Sequence, residues 1–306
     1  MKLNKLLNGL KAILMITSLA IAFNSNANQG LLEKAKLALA AKQLDKAEEY
    51  IEKLLEHSPD EPNHLFMAGR IAGAQAQEAS IFSKLGYARD VKKYFEQALS
   101  IDPYHKPSII GLIRFHEQAP VMAGGEKESI PALIEQLRKV DKKTAFTMQS
   151  GKLLDNKEFE LLEKRYQEAL NQQDSSNSEQ FKYDFAMQLS KYGYYSKALD
   201  MILTIDLSKP ELIADFAAMR LYQVAKLAAE SRRELDLGVE SIQQYAELSA
   251  EDKTIPDDWV EFRLLQLQFL SGNSSVNKQT INALKAKTEE KSLKDKISSF
   301  LKEVKL

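Results

Sequence analysis

The chain has 306 residues, 44% of them apolar and 28% charged, with 42 basic against 43 acidic side chains and no cysteine. That length suffices to bury a hydrophobic core, and the even charge balance argues against a nucleic-acid binder, which needs a basic excess. Without cysteine there is neither a disulfide nor a cysteine-held metal, so stability has to come from buried apolar area.

Residues 1–27 come first in chain order and read as an export leader. Lys2, Lys5 and Lys11 stand without any acid ahead of the apolar run Ala12 to Phe23, and Ser25-Asn26-Ala27 places small residues where a leader peptidase needs them. Cleavage is expected after Ala27. The run is too short for the roughly 20 residues that span a bilayer, and no cysteine follows it to carry a lipid. The expected mature protein is therefore soluble, periplasmic or secreted, with no stable membrane insertion. Loss of three lysines leaves 39 basic against 43 acidic groups, a net charge of about −4.

The remainder is rich in Ala, Leu, Glu, Lys and Gln and shows almost no alternation of period two, which predicts helix throughout. Breakers recur at Pro59 and Pro62, Pro103 and Pro107, Pro120, Pro210 and Pro256, with paired helix-length segments between them. Residues 28–61 form a first unit, with Leu31, Ala35, Ala47, Ile51 and Leu54 ahead of Pro59. A second starts at Leu65 with Ala68-Gly69 and Ala72 and closes on Phe95, Ala98 and Pro103. It is about eight residues too long, and the surplus around Gln75 to Tyr87 is expected to lengthen both helices because it holds no proline. Gly69 and Gly73 predict a close helix crossing inside it. A third unit runs from Lys106 through Ile109, Leu112 and Phe115 to Leu133 and Leu137, turning at Ala119 to Gly125. A fourth covers Thr144 to Gln172.

The polar stretch Gln172 to Ser178 reads as a long turn and suggests a division into 28–172 and 173–306. After it come Phe185-Ala186, Leu189, Ala198, Ile202 and Ile205, with Pro210 as the stop. There the two alanines let a pair of helices approach while the larger residues fill the space beside them. Glu211 to Glu230, Leu235 to Leu248, Trp259 to Leu270 and Lys278 to Leu301 are predicted as four further helices of weaker repeat character.

This pattern resembles the tetratricopeptide repeat, which implies an all-α, right-handed solenoid of helix-turn-helix repeats. Phe115, Ala119-Pro120 and Ala123-Gly124-Gly125 resemble a turn of an exported bacterial subgroup, and Leu227-Ala228-Ala229-Glu230-Ser231 followed by Leu235, Gly238 and Tyr245 resembles a further phrase of it. A more distant likeness is to the T component of tripartite solute transporters. In the repeat family, fixed positions of each first helix line a concave groove. Carried over, they select Phe66 and Arg70, Ile110 and Arg114, and Tyr183, Met187 and Lys191, each of which could equally be edge-of-core packing. The clamp by which some members hold a C-terminal carboxylate is absent, since Leu32 and Lys36 fill its first-repeat positions.

No cofactor or metal is expected. His57, His64, His105 and His116 have no ligand spacing and read as isolated surface or groove histidines. Pro120, Gly124 and Gly125 read as a structural turn whose glycines supply positive backbone angles, because the phosphate-loop alternative lacks its Gly-Lys-Ser/Thr and its preceding strand. Glu128-Ser129 matches a pair found in muramidase-like enzymes, but the rest of such a domain is missing. No Gly-x-Ser-x-Gly occurs either. The sequence thus points to a non-enzymatic adaptor binding a peptide or helix of another protein, with a solute-binding or transporter-accessory role as the alternative. A cell-envelope enzyme would need acids and histidines converging at the Gly124-Gly125 corner.

Overall fold

The computed structural model describes residues 28–173, 175–208 and 214–304, and every regular element among them is helical. The leader at 1–27 and Pro210 lie outside the described residues. The helices group into two compact units, one ending at Met148 and the other starting at Gln149.

The first unit holds α1 (28–40), α2 (Leu44–His57), α3 (Pro62–Glu78), α4 (Ile81–Ile101), α5 (Lys106–Gln118) and α6 (Ile130–Val140), and α7 (Lys142–Asp155) begins within it. Pro62, Pro107 and Pro131 sit in the first turns of α3, α5 and α6, where a missing N–H costs nothing. Successive helices pack as antiparallel neighbours, α2 on α3, α3 on α4, α4 on α5 and α5 on α6. The surplus in the second repeat does lengthen both of its helices, to 17 residues in α3 and 21 in α4.

One side chain organises the middle of this unit. A Cβ on Gly69 of α3 would stand 2.5 Å from the Phe95 ring, and one on Gly111 of α5 would stand 2.7 Å from its other edge. The ring of α4 therefore fills a slot between two helix backbones, with Phe66 stacked at 5.6 Å and Ile109, Leu112 and Ile113 beside it. Gly73 does not share this role, because a Cβ there would meet Val91 at an ordinary 3.7 Å.

The second unit comprises the end of α7, then α8 (Phe159–Leu170), α9 (Ser175–Lys191), α10 (Tyr195–Leu203), α11 (Ala214–Ser231), α12 (Leu235–Glu247), α13 (Asp257–Leu270), α14 (Lys278–Lys287) and α15 (Lys291–Glu303). Ser175 to Ser178, read from sequence as part of a polar turn, form the first turn of α9 instead. Ala186 and Ala198 are fully buried where α9 crosses α10, and Tyr166 of α8 stacks on Phe181 and Phe185 of α9 at 5.4 and 4.5 Å. The helix expected over Lys278 to Leu301 is two helices. Thr288 turns extended and its buried hydroxyl accepts the Glu290 N–H, so that Leu293, Ile297 and Phe300 fold back onto Ile281, Leu284 and Phe262.

Five hairpins reverse direction by one device. After α1, α7, α9, α11 and α13 one residue of the turn takes a positive φ, Lys42, Lys157, Gly193, Arg232 and Gly272, joined after α11 by Glu234. The next N–H in each case bonds back five residues, to Ala38, Leu153, Leu189, Ala228 and Gln268, satisfying a helix-end carbonyl. Three of the five are not glycine, although a left-handed residue with a Cβ costs roughly 1–2 kcal/mol. In the second unit these turns recur at intervals of 36, 39 and 40 residues, so the helical-hairpin repeat continues through the segment whose sequence pattern is weakest.

Candidate functional site

Within the second unit, α9, α11 and α13 are the first helices of three successive hairpins, and together they line a groove of about 750 Å³. Met187, Ser190 and Lys191 come from α9, Tyr222, Gln223, Lys226 and Glu230 from α11, and Trp259 and Arg263 from α13, with Lys296 of α15 at the side. Tyr195, Ile255, Pro256 and Glu290 complete the lining. The Ile255-Pro256 wall is held by fully buried Tyr245, whose hydroxyl accepts the N–H groups of Thr254 and Ile255 at 3.0 Å each. Gly238 permits the close packing of α12 underneath, since a Cβ there would lie 2.8 Å from both Ala228 and Leu267.

The floor of the groove is ionic. Arg263, only 1% exposed, donates to Glu230 at 3.0 Å and to Gln266 at 2.5 Å, and Lys296 donates to the other Glu230 oxygen at 2.9 Å. Burial pushes the Glu230 carboxyl up, but Lys296 and Arg263 outweigh it and hold the group below the usual carboxylate range. Lys226, one turn earlier on α11, has no carboxylate within ion-pairing distance among the described residues. Its burial, reinforced by Arg263, pulls its ammonium below the usual lysine range. Trp259 is the chain's single tryptophan, and its indole N–H is anchored on Glu290 at 2.8 Å.

Of the residues selected from sequence, the structure brings Met187 and Lys191 into this groove. Tyr183 is half-buried instead against Phe216, ring to ring at 5.1 Å. In the first unit, Phe66 and Ile110 are half-buried against the core around Phe95, while Arg70 and Arg114 are exposed, Arg70 lying 6.0 Å from the Phe66 ring. The charged core of the groove, Lys226, Glu230, Arg263 and Lys296, was missed. Its one sequence signal is Arg263, a lone cation inside the apolar run Trp259 to Leu270.

The Gly124-Gly125 corner is built differently from its sequence reading. Gly124 takes the positive φ, 93°, but Gly125 does not; a Cβ on Gly125 would lie 2.0 Å from the Ala119 carbonyl oxygen. Close backbone approach, not a special angle, demands the second glycine. The corner does gather His116, Glu126 and Lys92, yet each is engaged in holding the turn: His116 Nδ1 accepts the Glu126 N–H at 3.0 Å, and Lys92 pairs with the Glu126 carboxylate at 2.5 Å. Burial keeps the His116 imidazole below its usual pKa, consistent with a neutral acceptor nitrogen. Gly125→Ala is expected to lower the stability of the first unit by about 1–3 kcal/mol in urea unfolding; an unchanged midpoint would mean that the corner relaxes freely.

Of the four histidines expected as isolated surface or groove groups, His57 is exposed and the other three are not. His64, His105 and His116 are buried, and His105 bonds Ser108 at 2.8 Å and Asn63 at 3.2 Å, tying the start of α5 to α3. No group of three or more metal-ligating side chains gathers among the described residues, and none of the described helices is long and apolar enough to cross a membrane.

The architecture is that of a helical-hairpin repeat protein. Residues 72–105, covering the end of α3, all of α4 and the turn before α5, match the tetratricopeptide repeat family. Residues 72–105 thus carry a tetratricopeptide repeat. Among solved structures it is similar to a tetratricopeptide repeat protein from Parabacteroides merdae ATCC 43184, at 12% identity and a TM-score of 0.46, with 90% of this chain and 98% of that one covered. A second is the TPR domain of P58(IPK), at 13% identity and a TM-score of 0.30, covering 90% of this chain and 99% of that one. Comparison with curated proteins gives no significant match.

Proposed function

We propose that the protein is a non-catalytic scaffold of the bacterial cell envelope, exported with cleavage after Ala27, that holds a peptide or helix of a partner protein in the groove of its second unit. The observation that carries this reading is the lining itself. Three consecutive first helices present Met187, Lys191, Tyr222 and Trp259 to one concavity, and large aromatic, methionine and basic side chains are the types that anchor interfaces. Stacked hairpins give such a surface without any moving part.

The test is crosslinking capture from the periplasm of a Gram-negative host expressing the chain with its own leader. The recovered protein should begin at Asn28, and Lys191→Glu should reduce capture of its principal partner by about tenfold. The Arg70→Glu, Arg114→Glu double variant should leave that capture intact, because those residues belong to the first unit. All three positions are exposed, so folding is not at stake. Capture indifferent to Lys191→Glu would remove the groove from the account.

A further inference from the structure

We infer that the groove of the second unit is a receptor for an acidic side chain, an aspartate or glutamate within the bound partner segment, with Lys226 as its principal anchor. The inference rests on the groove-binding reading and adds the chemistry of what is bound.

Four cations line the groove, Lys191, Lys226, Arg263 and Lys296, against two carboxylates, Glu230 and Glu290. Both carboxylates are already engaged, Glu230 between Arg263 and Lys296 and Glu290 on the Trp259 indole. Neither Lys226 nor Lys191 forms an ion pair among the described residues, and the carboxylate whose field reaches Lys226, Glu230, is already shared by Arg263 and Lys296. This local excess of positive charge belongs to a chain of net charge −1, so it is a feature of the site rather than of the surface at large.

Two further groups in the same lining await a partner. Arg263 Nε and Gln223 Oε1 are buried and make no hydrogen bond, although both residues are more than nine-tenths buried, where an unmet polar atom is costly. A carboxylate entering beside Lys226 accepts from its ammonium, and a shift of the Arg263 side chain would let it accept from the guanidinium Nε–H as well. The Gln223 amide could turn either end to the ligand, as amide orientation follows the hydrogen-bond network. Tyr195, Tyr222 and Trp259 supply flat apolar faces for the rest of the segment. Nothing here requires a chain terminus, so the anchor differs in kind from a clamp for a C-terminal carboxylate.

Trp259 provides the readout, being the sole tryptophan and part of the lining. Its emission should be followed while the full mature chain is titrated with a short acetylated and amidated peptide carrying several glutamates, with the same peptide carrying glutamines, and with free sodium glutamate. The glutamate peptide is expected to produce a saturable change at a concentration at least about tenfold below that needed for the glutamine peptide. Lys226→Met should weaken it about tenfold and Lys226→Arg should largely preserve it. Loss of a half-buried, unpaired charge should not unfold the Met variant, which a melting curve verifies; if it does unfold, the Arg variant and the peptide pair still decide the matter. Equal binding of the two peptides would overturn the acidic anchor while leaving a groove that binds peptides. No saturable change with the glutamate peptide would overturn the anchor too, leaving the scaffold reading to stand or fall on the capture experiment. Free glutamate binding as tightly as the peptide would overturn the partner-segment assignment in favour of a small-solute receptor.

Discussion

Truncating Phe95 to alanine is expected to destabilise the first unit by about 3–5 kcal/mol, the range for removing a large buried aromatic. The upper half of that range is favoured because the cavity cannot close. The ring separates the backbones of α3 and α5 at Gly69 and Gly111, and both glycines lack the side chain that could fill the vacated space. Phe66 loses its stacking partner as well. Urea unfolding followed by circular dichroism measures the effect, and a loss below about 1 kcal/mol would show that α3 and α5 collapse onto each other. A compensating variant sharpens the test: adding Gly69→Ala to Phe95→Leu should recover part of the loss, whereas Gly69→Ala alone, with the ring in place, should destabilise.

Glu230→Ala is expected to cost the second unit about 3–5 kcal/mol, because it leaves Arg263, 1% exposed, without its carboxylate. Lys296 is about one-third exposed and can turn to water, but the guanidinium cannot. The sign of the double variant separates a lost attraction from an orphaned charge. Glu230→Leu with Arg263→Met should lie within about 1 kcal/mol of the native protein, since a buried ion pair contributes little beyond an apolar pair of similar volume. If the double variant is as unstable as Glu230→Ala, the pair itself holds α11 to α13 and the reasoning from desolvation is wrong. Binding should be altered in both, which is why neither serves as the test of the acidic anchor.

The legible parts of this fold are the local ones. Helix composition, the prolines that bound the hairpins of the first unit, and the small-large alternation at Ala186, Leu189, Ala198 and Ile202 all act within a few turns of the chain, and each appears in the structure at its expected place. The break at Thr288 was not legible, because Ile281, Leu284, Leu293, Ile297 and Phe300 keep the amphipathic spacing of one helix while packing as two. The shared turn was also hidden. Lys42, Lys157 and Arg232 adopt the left-handed conformation that sequence reading reserves for glycine, held there by carbonyls at helix ends.

Met187 and Lys191 could be reached from sequence because they follow a repeat position on a well-formed hairpin. Lys226, Glu230, Arg263 and Lys296 could not, being drawn from three helices spread over some 70 residues where the repeat pattern is faint. The amino-acid sequence by itself determined that this protein is helical, cysteine-free and built of repeated hairpins, since composition, periodicity and chain breakers act locally. Only the tertiary structure decided which cations find a counter-ion and which do not: that balance depends on distances between side chains far apart along the chain and on how completely water is excluded around them.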